Sequence, residues 1–434
     1  MKISYVTDPV DVDLGVIDLF DPDFYAHGDP HPVWKVMRDK APVHRQTLTD
    51  GRSFLSVTRH ADVLAVLKDH TRFTSRRGTL LSILGGTDPA AGKMLAASDP
   101  PVHTAMREPM MKVFSFSALK STQPQILSVV HRFLAPLASG KPWDLAAAAA
   151  GFPMAFAGAL MGLPEEDWPR LTRLSTMAAA PDDSVFGAEE GGHHNLLSAH
   201  HELFAYFADQ VRDRGVERDD LIGFLTRMDA GGRRLRTDEI VYNCYSMLLG
   251  ANVTMPHAIA ATVLALMENP GEYARLTGES AQTALAVEEG LRWASPANHF
   301  MRYAVRDAVL SGVPIKTGEA VVAWLGSANR DGSVFADPYR FDVQRHPNRH
   351  VTFGFGPHYC IGAPLARIAL RLLFGEIVQL VASFEPAGPV RHLASNFVSG
   401  VKSLPVTAAL RDGASAPLTS AVADGGRLPS LPTA

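Results

Sequence analysis

Residues 353–367 read Phe353-Gly354-Phe355-Gly356-Pro357-His358-Tyr359-Cys360-Ile361-Gly362-Ala363-Pro364-Leu365-Ala366-Arg367. A glycine-rich loop runs into Cys360, and apolar spacing beyond it predicts a helix over Ala363–Phe384. The sulfur then sits at a helix N-terminus, where free N–H groups and the helix dipole favour a thiolate. Gly354, Gly356 and Gly362 let the backbone turn tightly and approach a flat ligand. A lone cysteine in a loop is most often inert. The positions around this one, from Phe353 to Arg367, argue for chemistry.

Other segments stand in register with this loop. Glu289-Gly-Leu-Arg292 places two opposite charges at i and i+3 on one face of a helix predicted over Gln282–Trp293. Pro338-Tyr-Arg340-Phe341 lies in a Pro-, Asp-, Asn- and Gly-rich stretch, Arg330–His358, that reads as a long irregular meander. Ser98-Asp-Pro-Pro-Val-His103-Thr-Ala-Met-Arg107 opens a helix with His103 and Arg107 at i and i+4.

In this order and spacing the motifs resemble the cytochrome P-450 family, from about Asp21 to Leu410. The resemblance implies a mainly α fold, a large helical domain with small β-sheets around a buried haem. It implies haem b (iron protoporphyrin IX) with Cys360 as its iron ligand and Phe353 and Gly354 in the cofactor loop. A thiolate axial ligand promotes O–O cleavage. His103, Arg107, Arg302 and His358 match positions that hold the haem propionates, which as buried carboxylates need such partners. Arg340 matches the arginine that joins the Glu289–Arg292 pair.

The chain departs from the family in its longest periodic stretch, Thr237–Asn269. Leu248-Leu-Gly-Ala-Asn-Val-Thr-Met-Pro256 keeps the small pair, Gly250 and Ala251, and the threonine, Thr254. Val253 stands where the family has an acid that belongs to the proton route to oxygen. Pro256 lacks an N–H, so the Asn252 carbonyl loses its helical partner and a kink is expected there. Asn252, Thr254 and water or substrate hydroxyls are the expected replacement for the acid. A packing kink, with Asn252 bonded elsewhere, is the alternative.

Composition limits the function classes. The 434 residues carry 41 Lys and Arg against 45 Asp and Glu, a formal charge of −4, which argues against a nucleic-acid binder. Two cysteines, Cys244 and Cys360, exclude a disulfide framework and suit a reducing cytoplasm. Leu145–Pro164 has no charge and spanning length, yet Pro153 and its many Ala and Gly residues favour a buried helix over a membrane span. Gly86–Lys93, Gly354-x-Gly356 and His201-Glu202 each begin a phosphate, dinucleotide or zinc motif and fail to complete it. The expected organisation is an N-terminal extension (1–20), one catalytic domain (21–411) and a flexible tail (412–434).

The segments expected at the substrate, by the same resemblance, are Arg76–Ala97, Ala178–Phe204, Met247–Met255, Ala294–Met301 and Asn396–Val398. They offer Leu80, Leu81, Ile83, Leu84, Phe186, Phe300 and Phe397. The expected activity is hydroxylation or epoxidation of a medium-to-large apolar molecule in secondary metabolism. A non-hydroxylating outcome (coupling, cyclisation or nitration) and a non-catalytic haem sensor are the alternatives. Electrons are expected from a separate ferredoxin with its reductase, meeting Arg345, Arg349, Arg367 and Arg371.

Overall fold

The computed structural model describes residues 12–187, 191–213, 218–276 and 280–413. Six helices position the site: α1 (Val102–Val113), α2 (Gly191–Asp213), α3 (Thr237–Asn252), α4 (Met255–Glu268), α5 (Ser280–Ala294) and α6 (Ala363–Leu380). The apolar faces of α4, α5 and α6 meet in the largest core cluster, through Ile259, Val263, Val287, Leu291, Ile368 and Leu373. A second cluster joins α1, α2 and α3, through Met106, Met110, Leu203, Phe207, Cys244 and Leu248.

The largest sheet contains β1 (Val43–Thr47), β2 (Ser53–Val57), β3 (Phe73–Thr74), β4 (His299–Ala304) and β5 (Ala320–Trp324). Across the sheet they run β1-β2-β5-β4-β3, with β2 and β5 parallel and the other pairs antiparallel. Side chains alternate along a strand. Met301 and Tyr303 therefore pack with Trp34 and Trp324 on one face, while Phe300 and Ala304 pack with Phe397 and Val351 on the other. Arg302 shares the second face.

Three expectations change. The helix expected over Ala363–Phe384 stops at Leu380, and Val381–Pro386 becomes a strand paired with Pro405–Leu410. A β-branched residue at the helix end and a free strand edge decide this, and neither is a helical-period signal. The single helix expected over Thr237–Asn269 is two helices, α3 and α4. The break lies at Val253–Thr254, because Pro256 occupies the first turn of α4 rather than an interior position. Leu145–Pro164 forms two short helices, Leu145–Ala149 and Phe152–Met161, with Pro153 in the first turn of the second.

Among the described residues one stretch, Thr237–Glu268, is long and apolar enough to cross a membrane, and most of it is buried in the protein. The described part of the stretch read as an extension packs on the domain. Leu19 is buried with Tyr25 and Trp34, and Asn396 Nδ2 donates to the Phe20 carbonyl at 2.7 Å. The tail from residue 414 lies outside the described residues.

Candidate functional site

The Cys360 loop is closed by its own backbone. The Cys360 N–H donates to the Phe353 carbonyl at 2.8 Å, and Gly362 caps α6 two residues later. Gly354 and Gly356 have φ of +72° and +71°, which glycine adopts without strain. A Cβ on Gly356 would lie 2.8 Å from Lys68 Cα, so the loop is pressed against the end of the helix His60–Lys68. The Arg367 guanidinium stacks 4.5 Å from the centre of the Phe353 ring and donates to the Tyr359 hydroxyl at 2.9 Å.

Burial pushes the Cys360 thiol up. The Gly362 and Ala363 N–H groups and the Arg107 guanidinium pull it down without cancelling burial. The helix end alone thus does not secure the thiolate that the sequence predicts. A metal cation at the sulfur supplies what is missing, since a coordinating thiol is deprotonated by its metal.

Beside the loop lies a cationic edge. His103 comes from α1 and His358 from the loop, and their rings are 4.3 Å apart. Burial, then Arg302, His103, Arg107 and His70, holds His358 down at about 2. Burial and Arg107 hold His103 at about 4 against the opposing Asp99. Both rings are neutral at working pH. Arg302 is 3% exposed, and burial lowers it to about 10. It donates to the Met301 carbonyl and forms no ion pair with a carboxylate among the described residues. Arg107 Nη2 donates to the Tyr359 carbonyl at 2.5 Å, and His103 Nε2 is buried without a partner.

A buried cation in no ion pair and a buried ring nitrogen with no partner are costly in a folded chain unless a ligand satisfies them. A group bearing carboxylates beside a soft sulfur ligand does so, and the propionates and iron of haem fit this donor set.

The break between α3 and α4 supplies oxygens. Asn252 is buried; its Nδ2 donates back to the Leu248 carbonyl at 2.8 Å, and its Oδ1 has no partner. Thr254 Oγ1 donates to the Gly250 carbonyl at 3.2 Å. Gly250 is exposed although it lies within a helix, so this flank of α3 faces open space. Val253 turns the other way. It is 5% exposed and packs with Ala179, Ala180, Leu393 and Val398.

The charge network differs from the expected one. Glu289 and Arg292 pair at 2.7 Å and both are fully buried. The third member is Arg345, whose Nε lies 3.1 Å from Glu289 Oε2. Arg340 does not enter. Its guanidinium is 60% exposed and reaches Glu272 at 3.8 Å, while its backbone carbonyl accepts from Arg292 and Arg345. Two arginines five residues apart in an irregular turn are indistinguishable by spacing.

The predicted electron-donor cluster is thinned by the same facts. Arg345 is buried, and Arg367 is held by both Glu288 oxygens at 2.8 Å. Arg349 and Arg371 keep exposed side chains. Among the expected substrate contacts, Leu81 and Leu84 are buried with Trp34 and Met301, where they fasten their loop instead of lining a cavity. Sequence reasoning also missed Glu288, Ser75 and Asp99. Glu288 stands next to the recognised Glu289, and its own spacing to Arg367 is too long to be read as a motif.

Fold and site together define a haem-thiolate protein, a helical scaffold that presents one cysteine to iron beside a cationic edge. The comparisons with known proteins agree. The family model for cytochrome P-450 matches residues 192–385. The chain is 33% identical over 398 residues to cytochrome P-450 NovI of Streptomyces niveus, covering 91% of this chain and 97% of that protein. It is 29% identical over 400 residues to linalool 8-monooxygenase of Pseudomonas putida, covering 90% and 98%. Among solved structures, P-450 OxyD, which is involved in the biosynthesis of vancomycin-type antibiotics, superposes with a TM-score of 0.80 at 30% identity, covering 91% of this chain and all of that one. The chain belongs to the cytochrome P-450 family. It is an oxidoreductase of the monooxygenase type and its cofactor is haem b.

Proposed function

We propose that this enzyme hydroxylates or epoxidises a medium-to-large apolar small molecule in secondary-metabolite biosynthesis. The observation that carries the reading is the Cys360 loop placed beside Arg302, a buried cation in no ion pair, and His103 Nε2, a buried ring nitrogen without a partner, with an oxygen-bearing helix break supplied by α3 and α4. The likeness to OxyD, which is involved in the biosynthesis of vancomycin-type antibiotics, supports the biosynthetic setting.

Cys360 is the iron ligand, and His103, Arg107, Arg302 and His358 hold the propionates, with Phe353 and Gly354 forming the loop beneath. When bound, haem supplies dioxygen activation with two electrons, one oxygen atom going to a C–H or C=C bond of the substrate. The chain does the rest. The Thr254 hydroxyl and the unpaired Asn252 Oδ1 hold water at the break and hand protons inward. Pro256 keeps the Asn252 carbonyl free by offering no N–H. Phe300 and Phe397, with ring centres 6.1 Å apart, give the substrate an apolar wall.

Electrons come from a ferredoxin with its reductase in the cytoplasm, docking where Arg349 and Arg371 are exposed. The buried, apolar surroundings of Val253 favour a second reading, in which the same iron performs coupling, cyclisation or nitration. A reduced, CO-bound spectrum that is thiolate-type in the native enzyme and lost in Cys360→Ser tests the ligand. Turnover with a surrogate ferredoxin then tests the activity. A product heavier by one oxygen supports monooxygenation, and a product lacking it supports the second reading.

A further inference from the structure

Two segments expected at the substrate, Arg76–Ala97 and Asn396–Val398, are both fastened to β4. The Met301 N–H donates to the Thr79 carbonyl at 2.7 Å, and the Gly85 N–H donates to the Tyr303 hydroxyl at 2.9 Å. Asn298, just before the strand, donates its N–H to the Phe397 carbonyl at 2.7 Å and its Nδ2 to the Asn396 carbonyl at 3.1 Å.

His299, the first residue of β4, bonds to both segments with one side chain. The Leu81 N–H donates to His299 Nε2 at 3.2 Å. His299 Nδ1 lies 3.2 Å from the Asn396 carbonyl. A backbone N–H only donates and a carbonyl only accepts, so each contact fixes its own direction. Nε2 accepts and Nδ1–H donates, which a neutral imidazole does at once. The ring is fully buried, and burial holds it down at about 3. It packs on Trp324 and on Phe397, with ring centres 5.1 and 5.8 Å away. Moving either segment would break one bond and leave a buried polar atom unsatisfied, which is costly.

We propose that His299 is a positioning residue that sets the spacing between the Arg76–Ala97 loop and the Asn396–Val398 segment, and thereby the bulk of substrate that the Phe300–Phe397 wall admits. The proposal rests on the reading that these segments line the substrate. Side chains alternate along a strand, so His299 stands on the opposite face of β4 from Phe300 and acts on the wall from behind.

The test uses the haem-loaded enzyme with His299→Gln, His299→Asn and His299→Phe. The Gln variant keeps an acceptor with the reach of Nε2. The Asn variant keeps only a donor with the reach of Nδ1, and the Phe variant keeps a ring and loses both bonds. Spectral titrations compare imidazole, too small to reach the wall, with econazole, whose aryl groups extend beyond the iron. Econazole affinity should fall about five-fold in His299→Asn and His299→Phe and stay within about two-fold of native in His299→Gln. Imidazole affinity should stay native in all three, whereas a general loss of packing moves both ligands together. Hydrogen exchange at the Leu81 amide should be about five-fold faster in His299→Asn and His299→Phe and native in His299→Gln. Equal shifts for both azoles overturn the proposal, as does native econazole affinity or native Leu81 exchange in His299→Asn. Should His299→Phe fail to fold, the Asn and Gln variants decide. Phe397→Ala separates the two readings. If it leaves econazole affinity native, the wall reading fails and this inference with it. If it lowers that affinity and His299→Asn does not, this inference alone fails.

Discussion

Arg302 is a cation taken out of water, eased by the charge of Asp99 but in no ion pair among the described residues. The haem-free fold carries that cost, and the cofactor's carboxylate removes it. Arg302→Met should therefore raise the melting temperature of the haem-free chain by about 1–3 °C, equivalent to about 1–3 kcal/mol at this chain length. The same variant should lose haem faster, and calorimetry with and without haem reads both signs. Val253 makes the opposite case. A carboxylate placed among Ala179, Ala180, Leu393 and Val398 would be buried in an apolar cluster. Val253→Asp should destabilise the fold by about 3 kcal/mol in denaturant titrations. If it instead folds normally and improves coupling, the family's acid route is available to this chain. Thr254→Ala keeps the fold and removes a hydroxyl at the break. It should raise peroxide released per product formed, and an unchanged ratio would exclude Thr254 from proton delivery.

At the scale of elements, α5 and the meander are locked by Glu289. Its carboxylate accepts from Arg292, from Arg345, from the Asp342 N–H and from Asn348 Nδ2. Removing one partner of a buried pair leaves the other uncompensated. Arg345→Ala should cost about 3–5 kcal/mol. Arg340→Ala, on an exposed side chain, should cost no more than about 0.5 kcal/mol. Parallel thermal melts decide between the two arginines, and equal losses would reverse the assignment. The α3–α4 break is likewise a local instruction. Pro256 withholds an N–H and favours a helix start, so the helix ends at Asn252 and resumes at Met255. The motif at 353–367 shows the same economy, since glycines at positive φ and a cap at Gly362 set its turns locally. What its residues could not convey is the burial around the sulfur, which reverses the expected direction of its ionisation.

Across the whole molecule, α5, α6 and the meander are tied by Glu288, which receives Arg367, Arg371 and His350. Burial would raise its carboxyl, but the hydrogen bonds from His350 and Arg367 outweigh that and bring it from 4.5 to about 2. A depressed carboxyl stabilises the fold fully above its unfolded value and loses that contribution as pH falls through the folded one. Folding stability should thus decline between about pH 4.5 and 2, and Glu288→Gln should be less stable at neutral pH but flatter over that window. An equally steep acid limb in the variant would assign the sensitivity elsewhere. Local signals were legible without the fold: the cysteine loop, the Glu289–Arg292 pair, an irregularity at Pro256 and the mainly helical periodicity. Each depends on spacing within one or two turns, where backbone geometry leaves few options. Which of two meander arginines turns inward, where α6 yields to a strand, and which leucines fasten a loop were settled by packing against distant segments. The tertiary structure alone brings Ser75 to His358 and buries Arg302 in no ion pair, because burial and long-range contact belong to the folded chain and to no stretch of sequence by itself.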